Sequence, residues 1–220
     1  MLLEKFNQLF IDKSLSIKLS IDNEDSMLGS RIGGYPPICF SESFVKKCSL
    51  NNYVYYFTLG NDIVDIIEGK EISVFIPSNF EIYNQNNKYP NFPLKCIFHE
   101  PCERGTNEKL CNKQIIQKKI VVSNINNDLE KLEDIDNIGE FIYSPMMGTK
   151  IGGSPSLLQI EDDSFTLEKD NYQFIMQFDE SSYLKNQIIG NEPFNHGIIY
   201  FYGRFDNHVL KEFIPGFWQN

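Results

Sequence analysis

The chain has 220 residues, enough for one sizeable domain or two small ones, and its 41% hydrophobic content suffices for a packed core. A formal net charge of −10 argues against nucleic-acid and membrane partners, because it repels phosphate backbones and anionic lipid, and favours a basic protein partner. With no long apolar run, no apolar leader after Met1 and an odd number of cysteines, five, the expectation is a reduced, cytoplasmic protein.

Leu2, Leu3, Phe6, Leu9 and Phe10 recur at helical spacing and predict a short amphipathic helix. Leu15, Ile17, Leu19 and Ile21 alternate with Ser14, Ser16, Lys18 and Ser20, which predicts a half-buried strand. A polar turn, Asp22 to Ser26, leads to the phrase Gly29-Ser30-Arg31-Ile32-Gly33-Gly34-Tyr35-Pro36. Adjacent glycines permit positive φ and Pro36 ends any ladder, so Gly33, Gly34 and Pro36 are expected to form a tight turn. An anion cradle using Arg31 is the competing reading, although no standard phosphate-loop spacing is present. Residues 41–52 read as a polar connection. Tyr53 to Leu59 and Ile72 to Ile76 are β-favouring runs, and Ile63, Ile66 and Ile67 suggest a helical turn or two between them.

Residues 80–93, rich in Asn and Pro, read as a loop, with strands predicted at Leu94–Phe98 and near 114–123. Cys96, His99, Cys102 and Cys111 form a metal-like spacing. Four such ligands would suit a structural zinc, but buried free thiols are the commoner reading, so no cofactor is expected. The acidic stretch 128–140 reads as a solvated helix or linker and as the best boundary between two halves; an acidic contact patch is the sharper reading.

Gly148-Thr149-Lys150-Ile151-Gly152-Gly153-Ser154-Pro155 repeats the first phrase 119 residues further on. Gly152, Gly153 and Pro155 are expected to form the second turn, with Lys150 in the place of Arg31. Leu157 to Ile160 resembles a strand with a turn after it. Tyr172–Phe178 and Ile198–Tyr202 are predicted strands, matching the two that follow the first phrase. The tail Phe213–Trp218 is too apolar to hang loose and should pack on the sheet. His196 and His208 lie near Asp179, Glu180 and Asp206, but turn chemistry explains these carboxylates more simply than acid/base work, and no catalytic residue is expected. The repeat predicts an α+β, sheet-dominated single domain built from two related halves by internal duplication. The halves span about 14–80 and 145–205, and 81–144 is an insertion or linker.

The two turns, with Phe174-Ile175-Met176-Gln177-Phe178-Asp179 and Gly197-Ile198-Ile199-Tyr200-Phe201-Tyr202, resemble motifs of the YwqG-like bacterial family in matched order over residues 26–205. The first strand departs from the pattern, with Thr58-Leu59-Gly60 in place of Gln-Ile-Asp, and Pro193-Phe194-Asn195-His196 stands where many members have Trp-Gly-Asp. The resemblance implies an immunity-type protein that neutralises a cognate toxin; the missing catalytic motif makes the expectation non-enzymatic, and Arg31, Lys150, Gln177 and Asp179 are the candidate ligand or partner contacts. The alternative is a small-ligand-binding protein or enzyme using a cleft between the halves.

Overall fold

The computed structural model describes all residues except 1, 64, 83, 85, 86, 132–142, 146, 160 and 161. Helix α1 (Leu2–Phe6) runs into a wider π-helical turn, Asn7–Ile11, and Phe6, Leu9 and Phe10 are buried as their spacing predicts. Strand β1 (Leu15–Ile21) is followed by the two-residue β2 (Arg31–Ile32), helix α2 (Glu42–Lys47), β3 (Tyr53–Leu59) and β4 (Glu71–Pro77). Then come β5 (Lys95–His99), β6 (Lys118–Asn127), and a small hairpin of β7 (Leu129–Lys131) and β8 (Tyr143–Pro145). The chain ends with β9 (Lys150–Ile151), helix α3 (Asp163–Lys169), β10 (Gln173–Asp179), β11 (Ile198–Asp206) and β12 (Val209–Gln219).

Ten strands form one nearly closed antiparallel sheet in the order β12-β11-β10-β9-β1-β6-β2-β3-β4-β5. The fold is therefore mostly β. Among the described residues, the three α-helices have five to seven residues each and make no layer of their own, so the sheet-dominated part of the expectation stands and the α+β part finds no helical layer. Segment 81–144, expected as an insertion, supplies β5 and the long central strand β6. Among the described residues, no helix is long and apolar enough to cross a membrane.

The sheet has two arms that mirror each other about the β1–β6 pair. Beside β6 lie β2-β3-β4-β5; beside β1 lie β9-β10-β11-β12. Ile32 pairs with Phe57, and Ile151 pairs with Met176. The ladder is irregular at Tyr56 in β3 and at Ile175 in β10. In each arm the first glycine of the Gly-Gly pair donates its N–H to the carbonyl at that irregularity, Gly33 to Tyr56 and Gly152 to Ile175, both at 2.8 Å. All four glycines have positive φ, between 66° and 76°. A Cβ on Gly33 would stand 2.5 Å from the Ile115 carbonyl oxygen, and one on Gly153 would collide with the Asp128 carboxyl. Glycine is thus required by sterics as well as by φ. The Ser/Thr position of the phrase does the same work in both arms. Ser30 Oγ accepts the Gly60 N–H at 2.8 Å, and Thr149 Oγ1 accepts the Asp179 N–H at 2.9 Å.

The core fills the space enclosed by the sheet. Phe57 of one arm stacks on Phe178 of the other at 5.6 Å, and Phe201 stacks on Phe213 at 5.1 Å. Helices α2 and α3 each cover the outer face of one arm, while α1 turns Phe6 into the central core. Val45 of α2 packs with Phe40, Tyr55 and Phe75; Leu167 of α3 packs with Phe174, Tyr200 and Tyr202. The polar connection expected at 41–52 thus contains α2. Ile63, Ile66 and Ile67 are buried, but in turns rather than a helix. Residues 157–159 form no strand, and Leu157 and Leu158 are exposed; the rest of that expected strand lies outside the described residues. Most of the acidic stretch 128–140 also lies outside them, but Asp128, at its start, is fully buried.

Candidate functional site

The four expected contact residues all lie inside the fold. Arg31 is fully buried, donating from Nη1 to the Gly29 carbonyl at 2.6 Å and from Nη2 to the Cys102 carbonyl at 3.3 Å. Lys150 is equally buried, with Nζ 2.6 Å from Asp128 Oδ1. Burial pushes its ammonium down and Asp128 opposes that shift. The second Asp128 oxygen accepts the Ser154 N–H at 2.7 Å, so one carboxylate ties the cation to the glycine turn. Gln177 brackets the same turn, accepting from Ser156 N–H and donating to the Gly148 carbonyl. Asp179 caps the turn after β10 by accepting the Ser181 N–H at 2.8 Å. Gly33, Gly34, Gly152 and Gly153 form the tight turns, and Arg31 and Lys150 bind protein groups where a cradle would present them to an anion.

A cleft of about 630 Å³ opens where the arms meet at one end of the sheet. The first arm supplies Val54, Ile76, Pro77, Ser78 and Phe80; the second supplies residues 190–193 with Asn195 and His196. Asn112 and Gln114 line it from the segment before β6. The first glycine turn places that segment, since Asn112 N–H donates to the Gly34 carbonyl and Gly34 N–H donates to the Ile115 carbonyl. In turn, Ile189 N–H donates to the Gln114 carbonyl at 2.7 Å, which draws in the second-arm wall.

A buried carboxylate holds this wall. Glu180, 1% exposed at the end of β10, accepts the N–H groups of Phe194 at 3.0 Å and His196 at 3.1 Å on one oxygen. Its other oxygen has no hydrogen-bond partner among the described residues. Burial pushes the carboxyl up to about 8, Glu192 adds to the rise, and the backbone donors oppose it. The hydroxyls of Tyr56 and Tyr183, themselves 3.0 Å apart, are its neighbours. Asn195 and His196 both have positive φ, 53° and 62°, a costly conformation for residues with a Cβ, which the Glu180 bonds hold in place. His196 Nδ1 meets Glu192 at the rim. His208, by contrast, belongs to the two-residue β11–β12 hairpin turn, where Asn207 and His208 both have positive φ, and its ring meets the Phe6 edge.

The expected metal set is redistributed. His99 and Cys102 come together with Cys39, and their ligand atoms lie within 4.8 Å of one another. Cys96 and Cys111 are not in that group. Cys96 is three residues from His99 on β5, so the period-two alternation turns it to the opposite face, where it packs on the central core. Cys111 sits near Tyr35 and Glu108. Cys39 arrives by long-range pairing, since Ile38 N–H donates to the Glu103 carbonyl and Gly105 N–H to the Pro36 carbonyl. No local spacing in the sequence reports that pairing. Glu180 is equally silent, because a lone Glu at a strand end carries no periodic signal.

The chain matches no protein-family model and no curated protein. The likeness to the YwqG-like family therefore rests on the motifs themselves.

Proposed function

We propose that the protein binds a small polar ligand, without turnover, in the cleft between its two arms. The observation that supports this most directly is the cleft wall at Asn195 and His196, held in a costly backbone conformation by bonds that the buried Glu180 accepts from the Phe194 and His196 N–H groups. Glu192, Asn195, His196, Asn112, Gln114 and Ser78 offer donors and acceptors around an apolar floor of Val54, Ile76 and Phe80. A thermal-shift screen of small polar metabolites tests the reading. One compound should raise Tm in the natural chain and not in Ser78→Trp, whose indole fills the cleft. A shift that survives Ser78→Trp, or no shift from any compound, would count against it.

A second reading is immunity-type binding of a basic toxin domain, favoured by the net charge of −10 and by the YwqG-like motifs. Pull-down of the neighbouring gene product and protection of toxin-exposed cells decide it; failure of both removes it. We also propose that the arms descend from one duplicated unit. The matched registers, glycine turns and covering helices support that origin.

A further inference from the structure

The group around His99 has the donors of a closed metal site. Glu71 opens β4 and pairs directly across the ladder with His99 on β5, so the two side chains share one face. Glu71 is 2% exposed, and its Oε2 lies 3.8 Å from His99 Nδ1 with no hydrogen-bond partner among the described residues. A buried carboxylate oxygen left unpaired is costly and calls for an explanation. Cys102 Sγ lies 3.9 Å from the same Nδ1, close to the ~3.6 Å that separates N and S ligands on a tetrahedral zinc. Cys39 Sγ completes a trio with His99 and Cys102, their ligand atoms all within 4.8 Å of one another, and Glu71 stands at its edge against His99.

The surroundings fit a cation as well. His99 Nε2 is 2.8 Å from the Ser73 hydroxyl, which is 2.8 Å from Thr58 Oγ1, which in turn accepts from the Tyr55 hydroxyl. Such a chain fixes the ring, with Nδ1 turned toward Cys102 and Glu71. Two thiolates and one carboxylate around a divalent ion leave one negative charge, and the fully buried Arg31, bonded to the Cys102 carbonyl, balances it.

We propose that Cys39, His99, Cys102 and Glu71 bind one zinc ion as a structural site, tying the segment after the first glycine turn to β4 and β5. Two sulfurs, one imidazole and one carboxylate suit zinc above magnesium or calcium, and four protein ligands leave no open position for chemistry. Binding releases both thiol protons to solvent; Nδ1 gives up the proton it donates to the Glu100 carbonyl at 2.8 Å, and Nε2 takes one up and donates it to the Ser73 hydroxyl, so the ring stays neutral.

The test is metal analysis and cobalt substitution of the full chain under reducing conditions. The natural chain should carry about one zinc, and cobalt should give the thiolate charge-transfer and tetrahedral d–d bands. Removing the metal should lower Tm by about 5 °C or more. Cys39→Ser and Cys102→Ser should each weaken binding beyond the ~10–100-fold typical of outer-shell changes, while Cys96→Ser and Cys111→Ser leave it unchanged. Should the serine variants not fold, the cobalt spectrum of the natural chain decides alone. No tetrahedral thiolate spectrum, or equal loss of metal in Cys96→Ser, overturns the site. An unchanged cobalt spectrum in Glu71→Gln overturns the fourth ligand.

Discussion

Glu180 shows how much one side chain can set. Its carboxyl ionises near 4.5 when solvated and near 8 in the fold, because burial disfavours the charge. Between those values the folded state keeps a proton that the unfolded chain has released, so its contribution to stability falls as pH rises through that window, by up to about 4 kcal/mol. Glu71, also raised by burial, has the same sign, and His99, held neutral by burial, has the opposite one. Only a comparison with a variant isolates Glu180. Urea denaturation at pH 5 and pH 8 should show Glu180→Gln gaining on the natural chain at the higher pH, since a neutral amide still accepts from Phe194 and His196. An identical pH dependence in both proteins would mean that the carboxyl is charged in the fold. The sequence hid this residue because Glu-Ser-Ser after a strand reads as turn chemistry, and the burial comes from Phe194 and Tyr183, distant or silent in any local pattern.

At the scale of elements, legibility followed length and period. β1 and β3 are plain in the sequence because seven residues of alternating or aromatic character admit little else. The two-residue strands β2 and β9 are too short for any pattern, and only the repeated glycine phrase marks them. Helices α2 and α3 escape because each buries a single residue, Val45 or Leu167, and one apolar position has no period. The tie between β6 and β9 was invisible for another reason: Asp128 belongs to a run of acids that composition assigns to solvent. Removing one partner from so buried a pair leaves the other charge stranded. Asp128→Ala should cost about 3–5 kcal/mol in urea denaturation, and the double variant Asp128→Ala with Lys150→Met should recover most of it. A loss below about 1 kcal/mol would show that water reaches Lys150.

Across the whole molecule, the enclosed core joins the arms more firmly than the short β1–β9 pairing alone would. The Phe57–Phe178 and Tyr56–Phe178 contacts pass from one arm to the other, so neither buries its aromatic face alone. Unfolding should therefore be a single transition. Trp218, the one tryptophan, sits on β12 and reports the second arm, whereas far-UV circular dichroism reports every strand. The two denaturation curves should coincide, and an earlier fluorescence transition would show the second arm opening by itself.

In chain order β1 precedes the first glycine turn and β6 the second, yet β1 lies against β9 and β6 against β2. On the proposed duplication, each copy lends its leading strand to the other, as two exchanged subunits would. Separate chains of this design would complete themselves only on meeting, and would come apart on dilution. Joined in one polypeptide, they hold a fixed one-to-one stoichiometry at any concentration.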